Sequence, residues 1–530
     1  MRSNQQKVWN APSVQQQRSS FDRSHGHKTT FDVDNLIPVM VDEVIPGDTL
    51  NLSTSAFMRM ATPIYPIMDN MKATIHWFFC PLRLIWDNAE QFFGEDLVGG
   101  DGNAPVKPFR STNALAGSQP NTLEDYMGIP PSVSDLQYDE LPFRAYYEIY
   151  NQWYRDQNLQ ELFPIDKGDL PNDWSTIPGF DQAPQLLKRN KSHDYFTSSL
   201  PWPQKGPDIR MPVIDPQMPP EEMNSDSWQF LNGPDEMALA GSADRSVLSA
   251  AVPNVTVNDA LLPYGPGFND NAGTINQLRI SFSIQKYFEK DARGGTRYPE
   301  VIRSHFGVTS PDARLQRPEY LGRNTMDINV TPVATTFESV DPAATTGRTV
   351  GDLGAMGTAS TSGQQAFVAS FVEHGYVMGI MSVTADLTYQ QGLHKKFTRR
   401  NRFNYYWPSF QGIGEQAVST QEIWAGDLTG PQDSSEAFGY QERYAEYRFE
   451  PSRISGTFRS TVQNPLDAWH LSQRFDEKPL LNDQFIQSNT PIDRVLAVQD
   501  EPDFIADMYF HAKWVRPMAM YGIPGNIDRF

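Results

Sequence analysis

Five cationic side chains and three rings stand close together near residue 400. They are Lys395, Lys396, Arg399, Arg400, Arg402, Tyr405, Tyr406 and Trp407, and no acidic residue occurs from Gln390 to Gly414. Such cations can hold the phosphates of a single nucleic-acid strand while the rings stack on its bases. The same residue types also suit a protein interface, where arginines pair with acids of a neighbouring subunit. Both interpretations stay open, and the acidic remainder of the chain favours the interface.

The rest of the sequence offers little catalytic chemistry. There is no Gly-Lys dipeptide, which excludes a Walker phosphate loop, and there is neither a Gly-x-Ser-x-Gly elbow nor a His-Glu-x-x-His helix. Gly412 and Gly414 have part of a dinucleotide-binding spacing, but no strand-to-helix pattern surrounds them. His25 and His27 lie in a polar segment without further ligands, which is typical of solvated histidines. The sequence therefore predicts a protein that is not an enzyme and that has neither a metal site nor a cofactor.

Composition and charge limit the class of protein further. The 530 residues carry a formal net charge of −20, which repels polyanions from most of the surface. The single cysteine, Cys80, excludes a disulfide within the chain and suits a reducing compartment. The N-terminus lacks the apolar core of a secretion signal, and no stretch approaches the ~20 apolar residues that cross a bilayer. We therefore expect neither export by that route nor membrane insertion.

Positive charge is concentrated in two segments. Residues 1–30 contain five cations and one acid, for a net charge of +4, and the cluster at 395–402 adds +5. Without these two segments the remaining chain carries −29. Residues 1–30 are too polar to bury much surface, so they predict a flexible basic arm that a partner could order, or simply a frayed terminus. If nucleic acid lies nearby, the basic segments should face it, and further counter-charge must come from another molecule.

Short apolar runs bounded by Pro, Gly and Asp predict β-strands. The main runs lie at 37–41, 73–80, 326–338, 366–389, 442–460 and 504–516. Because strands so distant in sequence must pair, the pattern indicates a sandwich of Greek-key type with long excursions between its strands. We expect residues 31–530 to form one such domain.

Two stretches look like insertions into that domain. Residues 201–275 are rich in Pro, Gly, Asn and Asp, whereas residues 340–365 are mostly Ala, Thr, Gly and Ser. The second stretch predicts a flexible loop. The first is too long for an ordinary connection and predicts a surface protrusion anchored by aromatic side chains. These anchors include Trp228, Phe230, Tyr264 and Phe268.

Residues 278–285 alternate like a strand, but the residues that follow favour a helix. Periodicity alone leaves this element ambiguous.

Three sets of sequence blocks carry a resemblance to a known family. The first set is FDRSHG at 21–26, KTTF at 28–31, VDEVIPGDT at 41–49, ATPI at 61–64 and MDN at 68–70. The second is KDARGGTRY at 290–298, SHFGV at 304–308 and LQRPEYLG at 315–322. The third is YGIPG at 521–525 with DRF at 528–530. In these blocks the chain resembles the major capsid proteins of gokushoviruses, which are small icosahedral phages of the Microviridae with circular single-stranded DNA.

The resemblance implies an eight-stranded antiparallel jelly roll with large loop and helical insertions. It implies a helix over 275–293, and it implies that 201–275 forms a protrusion at threefold axes that meets a receptor on the host cell. The implied function is self-assembly into a T=1 shell around single-stranded DNA, together with a small basic DNA-associated protein. The implied location is the virion, with assembly in the host cytoplasm.

Two other classes of protein fit parts of the sequence. The aromatic residues and the excess of carboxylates also suit a secreted β-sandwich that binds carbohydrate or hydrolyses glycosides, but the missing secretion signal argues against that class. A monomeric nucleic-acid-binding module is opposed by the net charge of −20.

Overall fold

The computed structural model describes most of the chain in two compact units. The described residues are 17–93, 105–113, 118–174, 183–203, 275–295, 297–334, 336, 353–427, 430–431, 436–499 and 501–521. The first unit comprises Met1–Pro203 and Val308–Phe530, and the second comprises Gln204–Gly307. The predicted anchors Trp228, Phe230, Tyr264 and Phe268 lie outside the described residues, so the protrusion over 201–275 stays a prediction.

All strands of the described residues belong to the first unit. They are β1 (Ser19–Asp22), β2 (His25–Phe31), β3 (Ile37–Val44), β4 (Thr49–Met60), β5 (Met71–Pro81), β6 (Phe109–Ser111), β7 (Gln137–Asp139), β8 (Glu319–Ala334), β9 (Leu353–Ser370), β10 (Gly375–Ala385), β11 (Glu415–Ser419), β12 (Gly426–Asp427), β13 (Gly430–Pro431), β14 (Ala437–Glu442) and β15 (Phe504–Arg516).

Nine of these strands form one curled antiparallel sheet. Its order is β1-β15-β4-β9-β8-β5-β10-β3, and β2 pairs with β15 on the edge that β1 also occupies. The sheet folds into two layers, one with β2, β15, β4 and β9 and one with β5, β10 and β3. The long strand β8 pairs with β5 through its first part and with β9 through its second part, so it joins these two layers. This architecture confirms the predicted mainly β fold of jelly-roll type. The pairs β11 with β14, β12 with β13 and β6 with β7 are separate small sheets.

The sequence pattern of each strand follows from how many of its faces are covered. In β15 buried and exposed residues alternate, and Phe504, Phe510 and Trp514 point into the core between the layers. In β10 nearly every residue is buried. Val377 and Met381 enter the same core as β15, whereas Tyr376 and its outward neighbours pack into a second core. A strand covered on both faces reads as a continuous apolar run.

The helices are fewer and mostly short. Among the described residues they are α1 (Ala89–Phe92), α2 (Leu123–Tyr126), α3 (Leu141–Ile149), α4 (Ile275–Gly294), α5 (Tyr298–Val301), α6 (Thr420–Ile423) and α7 (Asp483–Ile486). None of the described helices has the length and apolar character needed to cross a bilayer.

Helix α3 covers the second face of the β3-β10-β5 layer. The near-helical spacing of Tyr146, Tyr150, Trp153 and Tyr154 predicts a helix over about 141–162 with its aromatic residues in the core. The α-helix ends earlier, at Ile149, and a π-helical turn over Tyr150–Tyr154 follows, but the aromatic stripe does belong to the second core. The hydroxyl of Tyr146 donates a hydrogen bond to the carbonyl oxygen of Leu36 at 2.8 Å and accepts one from the amide of Leu187 at 3.1 Å. One buried side chain thereby fixes two connecting segments against the sheet.

The described part of the predicted N-terminal arm is not flexible. Residues 19–22 and 25–31 are the strands β1 and β2, which pair with β15 from the other end of the chain. The prediction for 1–30 is therefore wrong from residue 19 onward, because Phe31 stacks on Phe504 with ring centroids 5.5 Å apart and gives the polar segment an apolar anchor. Residues 1–16 lie outside the described part.

The predicted flexible loop at 340–365 is wrong for its second half. Residues 353–365 belong to β9, which pairs with both β4 and β8. At Gly357 the small residue is required by space, because a Cβ there would meet the side chain of Met60 at 2.8 Å. Residues 340–352 lie outside the description.

The strand predicted at 442–460 is also wrong. Strand β14 ends at Glu442, and Tyr444 has a left-handed backbone with φ of +65° before a 3-10 turn over Ala445–Tyr447. Tyr444, Glu446, Arg448 and Glu450 alternate in sequence like one face of a strand, but this segment does not form one.

In the second unit, α4 resolves the ambiguity at 278–285 in favour of a helix, as the family resemblance implies. Asp291 of this helix accepts a hydrogen bond from Nε2 of His305 at 2.7 Å.

Candidate functional site

The basic cluster of the sequence lies in an irregular segment between β10 and β11. It consists of three 3-10 turns, over Lys395–Phe397, Arg402–Asn404 and Pro408–Phe410. The first turn is capped by His394, whose Nδ1 accepts a hydrogen bond from the amide of Lys396 at 3.0 Å. All residues from 400 to 409 are exposed. A segment with many cations and no apolar periodicity cannot bury one continuous face, and short turns follow from that.

Two of the predicted cations point into the protein. Nζ of Lys395 donates to the carbonyl oxygen of Ala417 at 3.0 Å and lies 3.6 Å from the carboxylate of Glu422. The guanidinium of Arg399 lies 3.1 Å from the carboxylate of Glu446, and only 8% of its side chain is exposed. These cations neutralise buried acids of their own chain and are not free to bind a partner.

A third cation, Lys396, belongs to a loose network at the rim. Its Nζ lies 3.9 Å from the carboxylate of Glu450, which also contacts His394 at 3.0 Å and Arg453 at 3.0 Å. Half of the Glu450 side chain is exposed. Surface ion pairs of this kind contribute little to stability, so they can rearrange when a partner binds.

Arg400 and Arg402 are the cations that face outward. Within the described residues, no carboxylate oxygen lies within 4.0 Å of either guanidinium. The guanidinium of Arg402 lies over the ring of Phe403, 4.8 Å from its centroid. Both arginines are therefore exposed, and neither has a carboxylate partner within the described part of the subunit.

The predicted rings are also exposed. The exposed fractions are 52% for Tyr405, 45% for Tyr406 and 48% for Trp407. Hydrogen bonds position two of the rings. Nε1 of Trp407 donates to the carbonyl oxygen of Arg402 at 2.9 Å, and the hydroxyl of Tyr406 donates to Oε1 of Gln411 at 3.2 Å.

A second segment, which sequence reasoning missed as part of the site, completes the surface. The ring of Tyr406 lies 5.0 Å from that of Tyr444 and 6.3 Å from that of Tyr447. The guanidinium of Arg443 lies over Tyr444 at 5.0 Å and over Phe410 at 5.7 Å. The signal was present, because the stretch RYAEYRF at 443–449 interleaves cations and rings as the first segment does. We call residues 394–413 together with 443–453 the cation–aromatic surface.

Buried phenols hold acids below this surface. The hydroxyl of Tyr195 donates to Glu422 at 3.0 Å, and that of Tyr389 donates to Asp194. Burial and the neighbouring carboxylates raise the pKa of both tyrosines far above the ordinary value. These hydroxyls therefore stay protonated at neutral pH and act as hydrogen-bond donors.

The remaining sequence motifs do not have the structural context that their chemistry needs. Gly412 and Gly414 follow a 3-10 turn and precede strand β11, so no strand-to-helix loop surrounds them. His25 and His27 belong to β2 in the main sheet. In the part of the chain that the structure describes, no three His, Cys, Asp or Glu side chains are grouped so that they could hold a metal ion.

Comparison with known proteins gives one consistent result. The family model described as capsid protein (F protein) matches residues 10–526. The capsid protein VP1 of Bdellovibrio phage phiMH2K is 44% identical, and the match covers 100% of this chain and 99% of the relative. The capsid protein VP1 of Chlamydia phage 1 is 41% identical over 97% and 96% of the two chains. The capsid protein VP1 of Spiroplasma virus 4 is 31% identical over 94% of each.

Proposed function

Because the chain belongs to the capsid protein (F protein) family of phages, we propose that its cation–aromatic surface joins it to neighbouring copies in the shell. As a phage capsid protein it is part of the virion and assembles with copies of itself. Its role in this family is structural. The carbohydrate-binding alternative has no support among the relatives, which are all capsid proteins.

The observation that carries the proposal is a patch of exposed rings, several of which already have a cation over one face. Arginines lie over the exposed rings of Phe403 and Tyr447, and over the less exposed rings of Phe410 and Tyr444, at 4.3–5.7 Å from the ring centroids. A ring face covered by a cation or by another ring is less available for stacking on a nucleic-acid base. Exposed aromatic side chains with arginines in a contiguous patch are instead typical of the centre of a protein interface.

Charge supports a second copy of this chain as the occupant. The chain carries −20 overall, so a neighbouring subunit presents a largely acidic surface to the outward guanidinium groups of Arg400 and Arg402. Attraction between unlike surfaces gives a heterologous contact, and such contacts close into a finite shell when the symmetry closes. Because a closed shell contains many such contacts, each of them needs only modest strength to hold the shell together.

Finer features extend this proposal. The shell would have T=1 icosahedral symmetry and enclose circular single-stranded DNA, and a small basic protein would accompany that DNA. The insertion over 201–275 would project from the shell and bind the host receptor. These features are supported by the sequence resemblance and by the charge of −29 outside the two basic segments, which leaves DNA without enough counter-charge from this chain.

Charge reversal tests the proposed contact. In the double variant Arg400→Glu/Arg402→Glu, we expect a folded subunit with an unchanged thermal midpoint and a loss of shells, because only the docking charges change sign. Sedimentation and negative-stain electron microscopy measure shell formation. The matched control is Arg474→Glu, because the Arg474 side chain is half exposed and its ion pair among the described residues is with the exposed Asp476.

Arg399→Gln separates docking from folding. It leaves Glu446 buried without its cation, so the subunit itself should be destabilised, by roughly 3 kcal/mol.

Normal shells from the double variant Arg400→Glu/Arg402→Glu would contradict the proposed interface. Normal shells that package less DNA would assign the surface to nucleic acid instead.

A further inference from the structure

Two loops of the first unit meet in an exposed apolar patch. The loop between β4 and β5 contributes Tyr65 and Met68, and the segment around a 3-10 turn contributes Leu466 and Trp469. The rings of Tyr65 and Trp469 are stacked, with centroids 5.1 Å apart and planes 13° from parallel. The amide of Met68 donates a hydrogen bond to the carbonyl oxygen of Trp469 at 2.9 Å. We call these four residues the apolar patch.

The patch is open to solvent although its side chains are large and apolar. The exposed fractions are 39% for Tyr65, 68% for Met68 and 42% for Leu466, and Trp469 is partly buried beneath Tyr65. Contiguous apolar surface of this kind is typical of a contact with another molecule. Aromatic residues and methionine are also the types that are enriched at the centre of protein interfaces.

Buried neighbours hold both loops in place. Ile67 in the first loop and Leu471 in the second are buried in the core between the layers. The amide of Leu471 donates to Oδ2 of Asp69 at 2.5 Å, which ties the two loops together. Because the patch is already ordered in the single subunit, a contact there loses little conformational freedom.

The charged groups beside the patch have both signs. Asp69 and Asp467 each follow a patch residue in sequence, and both act on Arg494. Burial lowers the pKa of the Arg494 guanidinium, and the charges of these two carboxylates oppose that effect. The guanidinium donates to the carbonyl oxygen of His470 at 2.8 Å, directly after Trp469. The patch therefore lacks the one-sided positive charge of the cation–aromatic surface.

This difference in charge sets what each surface can meet. Two copies of the cation–aromatic surface would bring like charges together, so that surface needs a different, acidic surface opposite it. Two copies of the apolar patch can meet without such repulsion. Only the second surface is therefore suited to an isologous contact, in which the same residues of two copies face each other.

A closed shell requires more than one kind of contact. A heterologous contact repeats a single rotation, so by itself it closes into a ring or continues as a filament. A second contact about a different axis must join the rings. The cation–aromatic surface supplies the first contact in the proposed function, and the second contact needs a surface outside 394–413 and 443–453.

We propose that the apolar patch is this second contact and packs against the same patch of another copy across a twofold axis. The inference rests on the proposed function, because it takes the cation–aromatic surface as the contact that forms rings. Burial of Tyr65, Met68 and Leu466 from both copies supplies the attraction, and the stacked Trp469 supports it from below.

The double variant Met68→Asp/Leu466→Asp of the full-length chain tests the patch. Because both side chains are exposed, we expect an unchanged thermal midpoint, and because four carboxylates then meet across the axis, we expect loss of shells. Sedimentation velocity should show rings in their place, since the cation–aromatic surface is intact. The matched control is Met68→Leu/Leu466→Met, which keeps the patch apolar and should form shells like the original chain.

Cross-linking tests the twofold axis. In shells of the variant Met68→Cys, a short bismaleimide reagent should join the introduced thiols of two copies, and a denaturing gel should show dimers. The original chain is the control, because its single cysteine, Cys80, is buried. Cross-linked trimers or larger products would overturn the twofold contact.

Normal shells from Met68→Asp/Leu466→Asp would overturn the patch as a subunit contact. If Arg400→Glu/Arg402→Glu loses shells at the same time, only the apolar contact fails and the proposed function stands. The opposite result, with shells lost in Met68→Asp/Leu466→Asp and normal in Arg400→Glu/Arg402→Glu, would support the patch and contradict the cation–aromatic contact.

Discussion

At the scale of single residues, identical side chains in one cluster have different roles. Arg399 and Arg400 are neighbours in sequence, yet the first is buried against Glu446 and the second faces outward. Mutating the whole cluster would mix loss of folding with loss of docking. The useful variants are those that change Arg400 and Arg402 and leave Lys395 and Arg399 intact.

Asp503 should make subunit stability depend on pH. Burial, together with the charges of Asp32, Asp493 and Asp34, raises the pKa of its carboxyl to about 6. The folded state therefore binds this proton more tightly than the unfolded state, whose pKa is near 3.8. Its contribution to stability is present below about pH 4 and is lost as the pH rises to about 6.

The variant Asp503→Asn tests this dependence. Relative to the variant, the original chain should lose on the order of 2–3 kcal/mol of unfolding free energy between pH 4 and pH 6. Denaturant unfolding of unassembled subunits at several pH values measures the difference. Asp476→Asn, at an exposed position, is the control. Equal pH profiles for the original chain and Asp503→Asn would contradict the expectation.

At the scale of elements, β10 depends on close packing from both faces. Gly379 pairs with Trp77 of β5. On the other side of β10, its pairing with β3 shifts register directly after Gly379. A Cβ at this position would overlap the buried indole of Trp77, whose Nε1 donates to Oδ1 of Asn324 at 2.7 Å. Glycine is therefore required here by space, because Gly379 does not have a positive φ.

Gly379→Ala should destabilise the subunit by about 1–3 kcal/mol, because the ring of Trp77 must move within a filled core. Thermal unfolding and tryptophan fluorescence measure the change. Gly412→Ala is the matched control, since a Cβ there meets no atom within 4 Å. An unchanged midpoint and an unchanged emission spectrum in Gly379→Ala would show that the core adapts without cost.

At the scale of the whole molecule, the first unit contains the complete sandwich. Within the described residues, the two cores named above and a third, smaller one around Phe196, Val418 and Phe438 consist of residues from Met1–Pro203 and Val308–Phe530. The described strands also lie outside Gln204–Gly307. Stability of the sandwich should therefore not require the second unit.

Replacing residues 204–307 with a flexible Gly-Ser linker should leave the first unit folded. We expect cooperative thermal unfolding and a near-UV circular dichroism signal like that of the full chain, because the buried aromatic cores are retained. As a control, deletion of 17–31 removes β1 and β2 and should abolish cooperative unfolding. Strand β15 loses its hydrogen-bonded partners on that edge, and Phe504 loses the stacked ring of Phe31. A linker variant without cooperative unfolding would show that the sandwich depends on the excised unit.

The sequence by itself determined the type of fold, the charge map and the family. The apolar run predicted as a strand at 504–516 has the observed bounds of β15, the aromatic spacing indicated the start of α3, and ordered blocks over the chain indicated a capsid protein. These features depend on residue type and local periodicity, which the sequence displays directly.

Only the tertiary structure decided which segments pair and which cations are buried. The polar residues 19–31 and the small residues 353–365 are strands because β15, β4 and β8 supply their hydrogen bonds. Arg399 is inward because Glu446, 47 positions later, comes to lie beside it. Burial and strand pairing each require two segments to meet. Whether two segments meet is set by the fold as a whole and not by the sequence of either segment alone.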